Sequence, residues 1–172
     1  MRIGTRERKD WVVALRRYLG VSIAAHFVWE IAQLPLYTIL TTGTVRQQAF
    51  AVMHCTVGDG MIASLSLLVA LVVFARSTWP STDVPRVYAT SLALGVGYTI
   101  YSEWLNTSVR GSWVYSDLMP IVPVTGTGLA PLVQWFVIPT MAMWIAIGNL
   151  PWRDPGVRHA CRDASSLRPP CD

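Results

Sequence analysis

The sequence predicts an all-α membrane protein, a four-helix transmembrane bundle with an N-terminal interfacial helix and a capping outer loop. Three observations predict it. Of the 172 residues, 52% are hydrophobic and only 14% are charged, where a soluble domain carries about 25% charge. Four apolar runs each reach the roughly 20 residues that a helix needs to cross a bilayer. The basic residues are dense and sparse in alternate segments between those runs.

Residues 1–18 hold Arg2, Arg6, Arg8, Lys9, Arg16 and Arg17. Trp11, Val12, Leu15 and Tyr18 fall close to one helical face, which reads as a short amphipathic helix on the inner membrane surface. The spans follow at 19–41, 49–75, 87–106 and 129–150, making residues 19–150 the membrane domain. The first is too long, and too interrupted by His26 and Glu30, for a signal-peptide core. Arg76 and Arg86 separate spans two and three, and Arg153, Arg158, Arg162 and Arg168 follow span four. Only Arg46 and Arg110 lie on the other side, a split of 12 against 2. The positive-inside rule then places both termini in the cytoplasm, as in a multi-pass protein of a bacterial inner membrane. The tail, 151–172, is rich in Pro, Ser and Arg and reads as disordered.

The outer loop, 107–128, is long for a structureless connection. Trp113, Tyr115, Leu118, Met119, Ile121 and Val122 make it too apolar to hang free, so it is expected to lie over the outer mouth or dip into it. Pro120 and Pro123 exclude one long helix there, and Gly126 and Gly128 ease the turn into span four.

The net charge of +4 belongs to topology; no basic–aromatic patch points to nucleic acid. Cys55, Cys161 and Cys171 form no disulfide framework. No Walker loop, GxSxG elbow, HExxH, CxxC or Rossmann glycine pattern occurs, and no cofactor is expected.

The polar residues inside the runs are the informative ones. A carboxylate at mid-membrane costs roughly 2.5–3.5 kcal/mol and by default marks a pathway or a site. Counted from the outer span ends, Glu30 lies roughly 16 Å deep, Asp59 roughly 15 Å, Tyr98 roughly 12 Å, His54, Tyr101 and Gln134 roughly 8 Å, and Glu103 roughly 5 Å. Only His26, at roughly 22 Å, lies deeper. This predicts a cavity in the outer half, opening outward or sideways. His26, Glu30 and Gln33 share one helical stripe. His54 and Asp59 are about 140° apart around their helix, so they flank an arc. Gly58, on the face of His54, is a position where another backbone could approach closely, and Ser91 and Gly95 give span three a small-xxx-small edge for close packing.

The candidate catalytic residues are Glu30, His26, Asp59, Glu103 and His54. Tyr98, Tyr101, Trp113, Tyr115 and Gln134 are the candidate substrate-binding residues. Each has a plainer reading. His26 and Glu30 could simply satisfy one another, Glu103 could pair with Arg110, and the tyrosines could be an interfacial belt. A carboxyl group kept neutral by burial can act as a general acid. Two histidines and three carboxylates could in principle hold a metal, but the Glu-x-x-His pairs of a di-iron bundle are absent, and no metal site is expected.

HFVWE in a membrane span resembles the His-x-x-x-Glu of the emopamil-binding, sterol-isomerase-like (EXPERA) proteins. That resemblance covers five residues and places His26 and Glu30 at the motif positions. It implies proton handling at a lipid-like substrate. The wider pattern of HFVWE, Gly58–Asp59 and Gln134–Trp135 with Pro139 resembles small multi-pass bacterial membrane proteins. Three functions are expected to compete. One is an intramembrane acid–base enzyme, isomerase- or cyclase-like, on a lipid-like or isoprenoid substrate. The second is a binding or transport subunit for a proton, metal ion or amphipathic ligand. The third is a structural membrane protein. Membrane lipid is the expected partner, with self-association into a homo-oligomer open.

Overall fold

The computed structural model describes residues 5–76 and 79–148. The expected tail, 151–172, and the last two residues of the fourth run lie outside them. The described chain forms α1 (Thr5–Gln33), a 3-10 turn (Leu34–Leu36), α2 (Ile39–Thr42), α3 (Val45–Phe74), α4 (Val84–Trp104), a π-helical turn (Leu105–Val109) and α5 (Leu129–Gly148). Among the described residues, three stretches are long and apolar enough to cross a membrane: Asp10–Leu36, Val45–Phe74 and Leu129–Gly148. Helix α4 has the length but, with Glu103, Arg86 and its hydroxyls, less apolar character. Helix α1 packs chiefly on α3 and α5, and α4 packs chiefly on the same two helices.

Two boundaries differ from the sequence expectation. No break separates an interfacial helix from the first run; α1 is continuous from Thr5. From Trp11 on, one face of the helix is held against the bundle: Ala14 and Tyr18 are buried and Trp11 packs edge-on against Trp79 at 4.7 Å. The opposite face, with Arg16 and Arg17, stays exposed. At its far end α1 stops at Gln33, well before Thr41. Pro35 has no N–H to continue the ladder, and the chain turns through Leu34–Leu36 with Tyr37 N–H bonded to Leu34 O at 3.0 Å. Glu30 therefore stands one turn from a helix end, not at the middle of a span.

Helix α3 begins four residues earlier than expected because Thr44 and Gln47 form a capping box. Thr44 N–H donates to Gln47 Oε1 at 2.8 Å, and Thr44 Oγ1 accepts from Gln47 N–H at 3.4 Å. This satisfies two orphan donors of the first turn. Helix α4 opens on Val84–Pro85, a favourable first-turn place for proline. It widens at its end into the π turn, where Thr107 Oγ1 donates to Glu103 O at 2.7 Å.

The two ends of the molecule are built differently. Toward the chain termini, Ala63, Leu67, Ala70, Val87, Ala142 and Ala146 form a close-packed core, with alanines bringing helices together. Toward the loops the interior is polar. There the segment 110–128 docks on the chain that follows α1. Thr38 N–H bonds to Val114 O at 3.0 Å and Ser116 N–H to Leu36 O at 2.9 Å, and Ser116 Oγ donates to Pro35 O at 2.9 Å. The loop is thus fastened over the open end rather than hanging free. Gly126 takes a left-handed conformation with φ of 68°, as the turn into α5 requires.

Candidate functional site

Gln134, on the second turn of α5, is the meeting point of three helices. Its Nε2 lies 2.8 Å from His26 Nδ1, 3.1 Å from Glu30 Oε1 and 3.0 Å from Asp59 Oδ2. His26 Nδ1 is itself 3.2 Å from Asp59 Oδ2. Glu30 Oε1 also accepts from Gln33 Nε2 at 2.8 Å. The stripe on α1 produces this directly, because residues four and three apart lie one above another on a helix. Helix α3 supplies Asp59 and α5 supplies Gln134.

A hydrogen count tells what the knot can do. An amide nitrogen carries two hydrogens, but three acceptors surround this one. The count closes with a third hydrogen between His26 Nδ1 and Asp59 Oδ2, where it can reside on either atom. The Glu30 and Asp59 oxygens, each about 3 Å from the same nitrogen, are within about 6 Å of one another. The arrangement is a cluster of two carboxyl groups and an imidazole within hydrogen-bonding distance of one amide nitrogen. Among the described residues, no three His, Cys, Asp or Glu side chains group closely enough to hold a metal ion.

A second cluster surrounds Glu103. The Tyr115 hydroxyl donates to Glu103 Oε2 and accepts from Gly128 N–H at 3.0 Å. The Tyr115 ring also packs at a tilt of 50° against Tyr37, with 5.5 Å between ring centroids. Both phenols lie outside the long helices. Burial, reinforced by the Glu103 carboxylate, raises the pKa of each above the usual tyrosine range. They are neutral donors at any physiological pH.

Between the clusters lies a cavity of about 910 Å³. Glu30, Gln33, Asp59, Glu103 and Gln134 supply polar wall, and Trp113, Ser112 and Arg110 bring the docked loop into it. The wall then runs out between α3 and α4 through Met61, Leu65, Val69 and Leu94. Met61 is 60% and Leu65 57% exposed, so this side faces outward from the protein. Polar at its closed end and apolar at its open side, the cavity suits an amphiphile.

The structure sorts the sequence candidates. Glu30, His26, Asp59 and Gln134 converge. Glu103 and Tyr115 form the second cluster, with Tyr115 behind Glu103 rather than on the cavity wall. Glu103 is bound to Tyr115, not paired to Arg110. Trp113 lines the cavity. Tyr98 and Tyr101, 51% and 52% exposed, stand at its open side, 6.2 Å apart. His54 reaches the cavity but is exposed and stacked on Phe50 at 5.6 Å; it does not join Asp59. The close backbone approach expected at Gly58 does not occur: a Cβ there would meet nothing within 4 Å. Gly95, the other position expected to pack closely, does meet a neighbour, the indole of Trp135.

Sequence reasoning singled out none of Tyr37, Cys55 and Trp135 as a site residue. Cys55 and Tyr37 line the cavity. Trp135 also lines it and lies 5.3 Å from the His26 ring. Pro35 was the usable signal for Tyr37, since a helix stop there folds the next residues back over the helix end.

No protein-family model, curated protein or solved structure matches the chain.

Proposed function

We propose that the chain is a four-span membrane protein in which α1, α3, α4 and α5 cross the bilayer. Both termini are then cytoplasmic, and the docked loop lies on the outer face. The 12-to-2 division of basic residues supports that orientation, and in it the cavity lies in the outer leaflet half. Within this frame the protein is an intramembrane enzyme that moves a proton at a lipid-like or isoprenoid substrate. One observation carries the reading: a single cavity passes from an acid–base cluster to a gap between helices that, once inserted, would face acyl chains.

The roles follow from position. Glu30 and Asp59 meet the substrate as the acid and base pair. His26, behind Gln134, holds or releases the proton on Asp59 and is a positioning residue. Gln134 keeps both carboxyl groups turned toward one point. Glu103, with Tyr115 fixing its rotamer, faces the pair from the other wall and stabilises positive charge that develops on an apolar substrate. Tyr98, Tyr101 and Trp113 offer ring faces along the entry path, which also favour a cationic intermediate.

The test compares lipid extracts of membranes holding the intact chain, Glu30→Gln, or Gly97→Trp. Gly97 lines the cavity and a Cβ there meets nothing within 4 Å, so a side chain can start there, and the indole is expected to obstruct the gap between α3 and α4. The expected result is one apolar species that accumulates with both variants at normal protein abundance. It should also copurify with Glu30→Gln and not with Gly97→Trp. Identical extracts from all three would overturn the enzyme reading.

A further inference from the structure

A second polar feature of α1 leads away from the cavity. Tyr18, Ser22 and His26 recur at four-residue spacing on the face that carries Glu30. Tyr18 is 2% exposed, and Ser22 and His26 are 0%. From Tyr18 to Glu30 this stripe covers roughly 18 Å along the helix. The Tyr18 hydroxyl faces Ser91 of α4 and Ser22. Three residues before Ser91, the Tyr88 hydroxyl meets Thr140 Oγ1 at 2.7 Å, near the start of α4 and so near the terminal end of the molecule.

Buried hydroxyls on helices usually bond back to their own backbone. On α3 they do: Thr56 donates to Val52 O at 2.8 Å and Ser64 to Gly60 O at 2.6 Å. Ser22 Oγ makes no such bond; apart from the Tyr18 hydroxyl that Ser22 faces, neither its Oγ nor His26 Nε2 has a hydrogen-bond partner among the described residues. Two fully buried polar atoms one helical turn apart are costly unless a small hydrogen-bonding molecule bridges them.

We propose that this stripe is a proton path joining the terminal end of the bundle to the Glu30–Asp59 pair, with one buried water between Ser22 Oγ and His26 Nε2. The inference takes the four-span placement as given and does not depend on the lipid chemistry. Each hydroxyl on the route accepts a proton at oxygen and releases its own hydrogen onward; the water does the same. His26 takes the proton at Nε2 and gives its Nδ1 hydrogen to Asp59 Oδ2. The ring is then the other neutral tautomer, and a water-relayed exchange, in which Nε2 gives up its hydrogen and Nδ1 takes one, restores the first. Asp59 discharges into the cavity. One proton crosses, and nothing is oxidised or reduced. The consequence is a passive proton conductance from the cytoplasmic face to the cavity mouth.

The experiment uses the full chain in sealed vesicles of neutral phospholipid with a trapped pH dye. A potassium diffusion potential drives proton entry. Flux above that of protein-free vesicles is expected. Ser22→Val should lower it about a hundredfold, the low end of what a positioned proton-transfer group contributes, whereas Ser22→Thr, of the same shape with the hydroxyl kept, should retain it. A merely structural serine would not separate these two. If Ser22→Val does not float with the vesicles, Tyr18→Phe replaces it and should show a comparable loss. No flux from a chain that floats with the vesicles overturns the proposal, and so does wild-type flux in Ser22→Val or in the substituted Tyr18→Phe. Intact flux with unchanged lipid extracts would instead remove only the enzyme reading.

Discussion

Gly95 of α4 lies against the indole of Trp135 on α5, so close that any Cβ at position 95 would fall inside the ring's contact distance. Both residues are buried. The contact sets the spacing of α4 and α5 at the level where the polar cavity meets the packed core. Gly95→Ala is expected to force the ring aside at a cost of about 1–3 kcal/mol, the usual penalty for overpacking. Thermal unfolding in detergent measures it. Trp135→Leu alone should also destabilise, by leaving a void. The double variant should be more stable than the two separate losses predict, because the clash and its target go together.

The Tyr115 hydroxyl serves two partners, Glu103 and the Gly128 backbone. It thereby ties α4 to the last turn of the docked loop before α5. Tyr115→Phe removes a donor to a carboxylate and leaves the Gly128 N–H without its acceptor. A loss of about 1–3 kcal/mol is expected, with faster amide exchange across 110–128. Glu103→Gln in the Tyr115→Phe background should add little, since the two changes remove one shared bond. Fully additive losses would show that the loop is held by its apolar contacts instead.

The same loop gives an alkaline dependence. Tyr37 and Tyr115 have folded-state pKa values above the ordinary tyrosine value of about 10, with burial the first cause and Glu103 the next. A group whose folded pKa is raised contributes stability that is whole below its unfolded pKa and is lost as pH climbs toward the folded one. The stability is therefore expected to be level with respect to these groups below pH about 10 and to fall above it. Tyr37→Phe and Tyr115→Phe should each flatten that fall. Unfolding midpoints followed across the alkaline range decide it; an unchanged slope in both variants would contradict the assignment.

Much of this was legible in the chain, for identifiable reasons. Helical spacing alone put His26, Glu30 and Gln33 on one stripe, and the apolar runs located α3 and α5 closely. The confinement of polar groups to one half of the runs anticipated a cavity lined by Glu30, Asp59, Glu103 and Gln134. What the sequence did not give depended on contacts between distant segments. Nothing local reveals that Gln134, rather than His54, completes the cluster with Asp59. That choice depends on how α5 rotates against α1, and Trp135 packing on Gly95 fixes the rotation. The continuity of α1 through Tyr18 was likewise hidden, because its basic residues suggest a surface while burial against Trp79 and the α5 core decides the outcome. Pro35 was visible, yet an apolar run extending to Leu40 concealed the helix end it makes.

Gln134 itself provides the sharpest test of the buried cluster. Gln134→Met keeps the side chain's length and bulk but removes both N–H donors. Glu30 and Asp59 then lose a partner in a site with little water, and a cost of about 1–3 kcal/mol is expected. The effect of Glu30→Gln should depend on this background. In the wild-type chain it replaces a carboxylate oxygen that accepts from both Gln33 and Gln134, so it should destabilise. In Gln134→Met it removes a carboxylate already short of donors, so it should be neutral or stabilising. A double-mutant cycle by thermal unfolding measures the coupling. A coupling near zero would mean that the amide does not hold the carboxyl groups, and the geometric basis for placing proton transfer at this point would be lost.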